Sequence, residues 1–187
     1  MFVLLRQLRT IRREASLRPG DEPRWLAIRH VDAGSCNGCE HELALLGGPL
    51  HDIQRFGLDI VASPRHADIL LVTGPVTTRM AQPLQIAYEA MPTPRLVAAL
   101  GDCALGCDVL ADRDQLAGPL SELLPVDIRI PGCPPSPESI AAGLLDGLRA
   151  ITQHPAHSSR VSTTRDRRPP QSGTVWPGHG NHQPKEH

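Results

Sequence analysis

Apolar positions along this chain fall into short strand-like runs separated by helical patterns. The runs are Trp25-Leu26-Ala27-Ile28, Leu58-Asp59-Ile60-Val61, Ala67 to Val72, Arg95 to Leu100, and Val126-Asp127-Ile128-Arg129-Ile130. The apolar run ending at Val72 reads as a central strand covered on both faces. A helix is expected from Glu40 to Leu46, broken at Gly47-Gly48-Pro49, and another over roughly residues 80–91, after the Gly74-Pro75 turn. Ser136-Pro137-Glu138-Ser139 opens a last helix to about Ile151, with Ser136 as N-cap, Pro137 in the first turn and Ser139 adding a hydroxyl. Strands alternating with helices predict an α/β domain with an open, mostly parallel sheet and helices on both faces.

The two ends read differently. Leu4, Leu8, Ile11 and Ala15 recur at helical spacing, with Arg6, Arg9 and Arg13 on another face. Such a segment suits an anionic bilayer or a partner, or is a frayed helix with solvated arginines. Pro19-Gly20 and Pro23 separate it from the domain. After Thr152 the sequence turns to Ser, Thr, Arg, Pro, Gly and His without apolar periodicity, and a disordered tail is expected. The division is therefore 1–23, N-terminal segment and linker; 24–152, folded domain; 153–187, tail. The tail histidines (His154, His157, His179, His182, His187) are read as incidental.

Composition narrows the function. Nineteen Lys and Arg balance 20 Asp and Glu, so no basic field points to nucleic acid. Trp25, Trp176, Tyr88 and two Phe are too few for a base-stacking surface. Nothing approaches 18 consecutive apolar residues, so no membrane span is expected. Arg12-Arg13 leads into Glu14, Arg18, Asp21 and Glu22 rather than the hydrophobic stretch of an export signal. Five cysteines make an odd number with no signal peptide before them, which argues against a secreted disulfide framework. The expected compartment is the reducing cytoplasm, where clustered cysteines mean metal.

Their placement is the main clue. Cys36, Cys103 and Cys133 each follow the carboxyl end of a predicted strand, and in a parallel sheet those ends share one edge. Cys36-Asn37-Gly38-Cys39 adds a close pair. One pair plus two single cysteines suits a cubane cluster, which takes one thiolate per iron. Structural zinc sites, the main alternative, usually show two close pairs. Gly34, Gly38, Gly101, Gly106 and Gly132 would let backbone amides approach sulfur, and Cys133-Pro134 repeats the Cys-Pro step after a ferredoxin ligand. Cys107 is read as a non-ligating core thiol, with a substitute for Cys103 as the alternative. Glu40 and Glu42 gain from a helix start without needing a function, a proton relay being the other reading; His66 is read as a surface residue. No phosphate loop and no Gly-x-Ser-x-Gly elbow is present. Without a catalytic constellation, the chain reads as an electron relay.

Three stretches carry a resemblance over roughly residues 24–151. They are Asp32-Ala33-Gly34-Ser35-Cys36-Asn37-Gly38-Cys39-Glu40, Ser63-Pro64-Arg65-His66-Ala67-Asp68-Ile69-Leu70 and Ile130-Pro131-Gly132-Cys133-Pro134-Pro135. In them the chain resembles the 20 kDa subunit family of respiratory complex I (NADH–quinone oxidoreductase) and the related small subunits of nickel–iron hydrogenases, most closely the membrane-bound, energy-converting formate hydrogenlyase type. The resemblance implies a flavodoxin-like fold and one 4Fe-4S cluster on Cys36, Cys39, Cys103 and Cys133. It implies a large catalytic partner subunit (with a nickel–iron centre in hydrogenases, a quinone cavity in complex I), a ferredoxin-like subunit and membrane subunits. It also implies a peripheral place on the cytoplasmic side of the membrane. Complex I subunits have adjacent cysteines where this chain spaces Cys36 and Cys39 by two residues, which favours the hydrogenase branch. The alternative is the terminal cluster subunit of a complex I-like NADH–quinone oxidoreductase. Gly101-Asp102-Cys103-Ala104-Leu105-Gly106-Cys107-Asp108 departs from the small, Ser/Gly-rich sequence usual in relatives.

Overall fold

The computed structural model describes residues 25–106 and 113–153. The N-terminal amphipathic segment, Cys107 and the tail lie outside the described residues.

Five parallel strands form the main sheet: β1 (Leu26–Asp32), β2 (Leu58–Ile60), β3 (Ile69–Thr73), β5 (Leu96–Leu100) and β7 (Ile128–Ile130). Their order across the sheet is β2-β1-β3-β5-β7. Setting aside β4 (Val76–Thr77) and β6 (Leu116–Gly118), which pair separately and antiparallel, this is the flavodoxin-like order. The helices are α1 (Gly38–Leu45), α2 (Thr78–Ala90), α3 (Leu120–Leu123) and α4 (Pro137–Gln153).

Strand alternation explains the layers. Successive β3 side chains point to opposite faces, so Ile69 and Leu71 join one apolar cluster while Leu70 and Val72 join the other. The first cluster includes Leu43 of α1 and Ile140 and Leu144 of α4; the second includes Leu84 of α2 and Leu120 of α3. Every β3 residue is buried, as the sequence predicts for a central strand. Helix α4 lies close on β7 because two turns present only hydrogen. A Cβ on Gly143 would stand 2.9 Å from Ile130 Cγ1, and one on Gly147 would stand 2.7 Å from Ile128 Cγ2.

Aspartates finish the ladder at the amino edge. Asp68 donates its N–H to the Ala27 carbonyl (2.8 Å) and accepts the Ala27 N–H on Oδ2 (3.0 Å). Asp127 does the same with Val97, at 2.9 Å each way. Each carboxylate replaces a backbone acceptor that a strand end lacks.

Two features go beyond the sequence reading. The first strand extends from the 25–28 run to Asp32, because its backbone stays paired with β3 even though Arg29 and His30 break the apolar run. The β4–β6 ribbon is unanticipated, since two or three residues are too few to show a period. Among the described residues, no helix is long and apolar enough to cross a membrane.

Candidate metal centre

Register brings the carboxyl edge level. Asp32 pairs with Thr73, Thr73 with Leu100, and Leu100 with Ile130, so the loops carrying Cys36, Cys103 and Cys133 leave the sheet side by side. This is the convergence expected from topology.

Each loop is fixed by bonds to its strand ends. Asp32 Oδ1 accepts the N–H groups of Gly34 (2.8 Å) and Ser35 (2.7 Å), and Ser35 Oγ accepts that of Asn37 (3.1 Å). Burial works against the Asp32 carboxylate, but the Ser35 and Gly34 N–H bonds prevail and hold its pKa below the usual value. Asn37, at φ 68°, then turns the chain into α1, which places Cys39 in its first turn. On the second loop, Gly101 donates to the Ile130 carbonyl (2.8 Å). Asp102 donates to the Gly132 carbonyl (2.9 Å) and accepts the Gly132 N–H on Oδ1 (2.8 Å). Asp102 thus joins the Cys103 loop to the Cys133 loop. Ser136 Oγ accepts the Ser139 N–H (3.3 Å) and starts α4 after the third loop, as the sequence predicts.

Cys36 and Cys133 are exposed, while Cys39 and Cys103 are half-buried. Burial pushes the Cys39 thiol up to about 11, with further contributions from Glu40, Cys103, Cys36 and Cys133. All three other cysteines therefore lie within electrostatic reach of Cys39. The edge is shaped around their sulfurs. Gly101 sits at φ 88°, and a Cβ there would lie 2.7 Å from Cys39 Sγ; one on Gly38 would reach Cys36 Sγ at 3.5 Å. Among the described residues, no three His, Cys, Asp or Glu side chains are spaced to close on a single metal ion. Four thiols from three loops, with Gly38 and Gly101 close on two of the sulfurs, are soft donors of the kind that a zinc ion or an iron–sulfur cluster takes.

The sequence reading missed two residues here, Thr73 and His30. Thr73, at the end of β3, is the only fully buried polar side chain among the described residues. Its hydroxyl donates to Glu40 Oε1 in the first turn of α1, and His30 Nε2 lies 2.9 Å from the same hydroxyl oxygen. Neither residue carried a local signal: His30 lies in the polar second half of β1, and Thr73 closes an apolar strand. His30 and Asp32 also line a cleft of about 600 Å³ with Arg29, Ile60, Val61 and Met80. His66 is exposed, as expected, and Glu42 is half-buried on α1.

Fold and edge together define an open α/β domain of flavodoxin-like order that gathers four cysteines at the carboxyl end of its sheet. The chain belongs to the family of the 20 kDa subunit of NADH–ubiquinone oxidoreductase, whose profile matches residues 36–146. It is 44% identical over 126 residues to a probable membrane-bound hydrogenase subunit of Pyrococcus furiosus, covering 67% of this chain and 75% of that one. It is 40% identical to formate hydrogenlyase subunit 7 of Escherichia coli, over 67% of this chain and only 49% of the relative. It is 43% identical to an NADH-quinone oxidoreductase subunit of Citrifermentans bemidjiense, over 57% and 62% of the two chains. Among solved structures, a chain of the membrane-bound sulfane sulfur reductase, an archaeal respiratory membrane complex, superposes with a TM-score of 0.57 at 32% identity, covering 70% of each chain. These relatives are subunits of oxidoreductase complexes.

Proposed function

We propose that residues 24–152 form an iron–sulfur domain in which Cys36, Cys39, Cys103 and Cys133 hold one 4Fe-4S cluster. The chain then relays electrons to or from the active site of a larger partner subunit in a membrane-associated, hydrogenase-type complex. The observation that carries this reading is the level carboxyl edge, which presents four cysteines from three loops within electrostatic reach of one another at Cys39. The cluster supplies one-electron storage. The protein's part is to hold it: the Gly101 backbone leaves room beside Cys39, and Asp32 and Asp102 fix the loops. Exposed Cys36 and Cys133 mark the side open to a partner, half-buried Cys39 and Cys103 the side toward the core. The chain itself carries no complete active site, and a ferredoxin-like subunit links it to other carriers. Membrane subunits hold the assembly, with this chain peripheral on the cytoplasmic side.

The two residues between Cys36 and Cys39 favour hydrogenase chemistry. A second reading, the terminal cluster subunit of a quinone reductase, draws on the 43% identity to an NADH-quinone oxidoreductase subunit. The complex purified anaerobically with its partners separates them. Nickel in the large subunit and hydrogen-dependent dye reduction are expected, with iron and acid-labile sulfide at four each for this chain's site. Quinone reduction by a nickel-free complex would support the second reading. Zinc alone in this chain would refute both.

A further inference from the structure

The side chains around Thr73 form a line of donors with one direction. A threonine hydroxyl has a single hydrogen, and Thr73 spends it on Glu40 Oε1. The 2.9 Å contact between His30 Nε2 and Thr73 Oγ1 must therefore be donated by the histidine. In the neutral ring, which burial favours, the proton sits on Nε2 and Nδ1 carries none. The order is His30 N–H to Thr73 O–H to Glu40, and each bond polarises the next. The line ties β1, β3 and the first turn of α1 together, at the residue that follows Cys39.

One atom is left unexplained by packing. Glu40 Oε2 is buried and has no hydrogen-bond partner. His30 Nε2 is 3.6 Å from Oε1, beyond a hydrogen bond, so it does not relieve the other oxygen. A carboxyl held in this way costs free energy that a merely structural contact would avoid. A Gln or Leu at position 40 would fill the same space without burying a charge. What the carboxyl adds is a fixed negative charge beside a cluster ligand, and that charge is among those acting at the Cys39 sulfur.

We propose that Thr73 and His30 are positioning residues that hold Glu40 against the Cys39 turn, so that its charge keeps the potential of the bound cluster low. This rests on the cluster reading of the four cysteines. A nearby negative charge disfavours the reduced, more negative form, so the effect lowers the potential, and low dielectric inside the edge strengthens it. Thr73 makes the effect dependable. With its oxygen pinned, Glu40 cannot swing out to water, where its charge would be screened.

The test is a potentiometric titration of the complex, reduced stepwise with dithionite and mediators and followed by electron paramagnetic resonance. Glu40→Gln is expected to raise the potential enough to change the reduced-to-oxidised ratio at fixed potential at least tenfold, which is about 59 mV for one electron. Thr73→Val is expected to shift it in the same direction, with altered g-values, and Thr73→Ser to restore the wild-type values. A Glu40→Gln variant with full iron content and the wild-type potential would overturn the proposal. If that variant does not assemble, the Thr73 pair decides, and equal potentials for Val and Ser would overturn it too. Loss of the cluster from Thr73→Ser as well as from Thr73→Val would assign the site to packing alone. A wild-type complex without a cluster would remove the underlying reading; a wild-type cluster indifferent to Glu40 would remove only this inference.

Discussion

Replacing Gly101 by alanine separates the cysteine recess from the rest of the fold. Gly101 stands at φ 88°, and a methyl there would sit 2.7 Å from Cys39 Sγ and 3.4 Å from the Gly132 carbonyl. The backbone conformation costs a residue with a Cβ about 1–3 kcal/mol. Forcing a methyl into filled space adds about 1–3 kcal/mol more. Gly57 supplies the control, since it has φ 77° with nothing within 4 Å of its Cβ position. Gly57→Ala bears only the first cost. The difference, about 1–3 kcal/mol, belongs to the contact at the recess. Cys39 Sγ, 2.7 Å from the new methyl, would have to shift from its present position. Gly101→Ala is therefore expected to lose most of its iron and acid-labile sulfide, while Gly57→Ala keeps both. In melts of the metal-free chain, Gly101→Ala is expected below Gly57→Ala, by roughly 3–6 °C per kcal/mol. Equal iron contents and equal melting temperatures for the two variants would refute the reasoning.

Four further outcomes are expected. Asp102→Ala, which unties the Cys133 loop from the Cys103 loop, should cost about 1–3 kcal/mol in a urea melt and also lose iron; Asp127→Ala, at the opposite edge, should cost a similar amount yet keep its iron. Gly147→Ala should destabilise by about 1–3 kcal/mol less the roughly 1 kcal/mol gained in helix propensity, and Ile128→Ala, which removes both contacting γ carbons, should cost less in the Gly147→Ala background than in the wild type. In the metal-free chain, Cys39 should resist iodoacetamide near pH 8 and react as the pH nears about 11, read by peptide mass mapping. Its half-buried neutral thiol contributes stability that is complete below about 9 and lost as the pH rises through about 11. For His30, burial lowers the pKa against the opposing pull of Glu40 and Asp32, with Arg29 adding to the lowering. Its neutral form contributes stability present above 6.5 and lost on acidification through the lowered value, so His30→Gln should flatten the acid limb of denaturation curves.

The parts of this molecule legible in its sequence are those with a long enough pattern. Ile69 to Thr73 and Leu96 to Leu100 are apolar throughout or nearly so, and both are central strands. Ser136 and Pro137 announce α4 by chemistry that works over four residues. Cys36, Cys103 and Cys133 were legible as neighbours because each follows a strand, and parallel topology then fixes which ends meet. What escaped depends on contacts between distant residues. Nothing near Thr73 in sequence shows that Glu40 and His30 meet there, and a threonine closing an apolar strand looks like any strand end. Gly143 and Gly147 read as weak points in a helix; only the position of Ile128 and Ile130 shows them as the surface on which α4 rests. The β4–β6 ribbon depends on a register that so few residues cannot announce.

The aspartates connect these observations. A parallel sheet leaves unpaired backbone groups at both edges, and loops leaving such an edge are free to splay. Asp68 and Asp127 close the amino edge by exchanging two bonds each with a neighbouring strand, and Asp102 repeats that exchange at the carboxyl edge, between two cysteine loops. Asp32 closes the remaining cysteine loop upon itself. The same carboxylate device thus serves the strand ends at one edge and the cysteine loops at the other. For the cluster site proposed above, loops fixed beforehand save the cost of ordering them on binding. The fold supplies that order through the carboxylates of Asp32 and Asp102, which accept backbone N–H groups of the loops themselves.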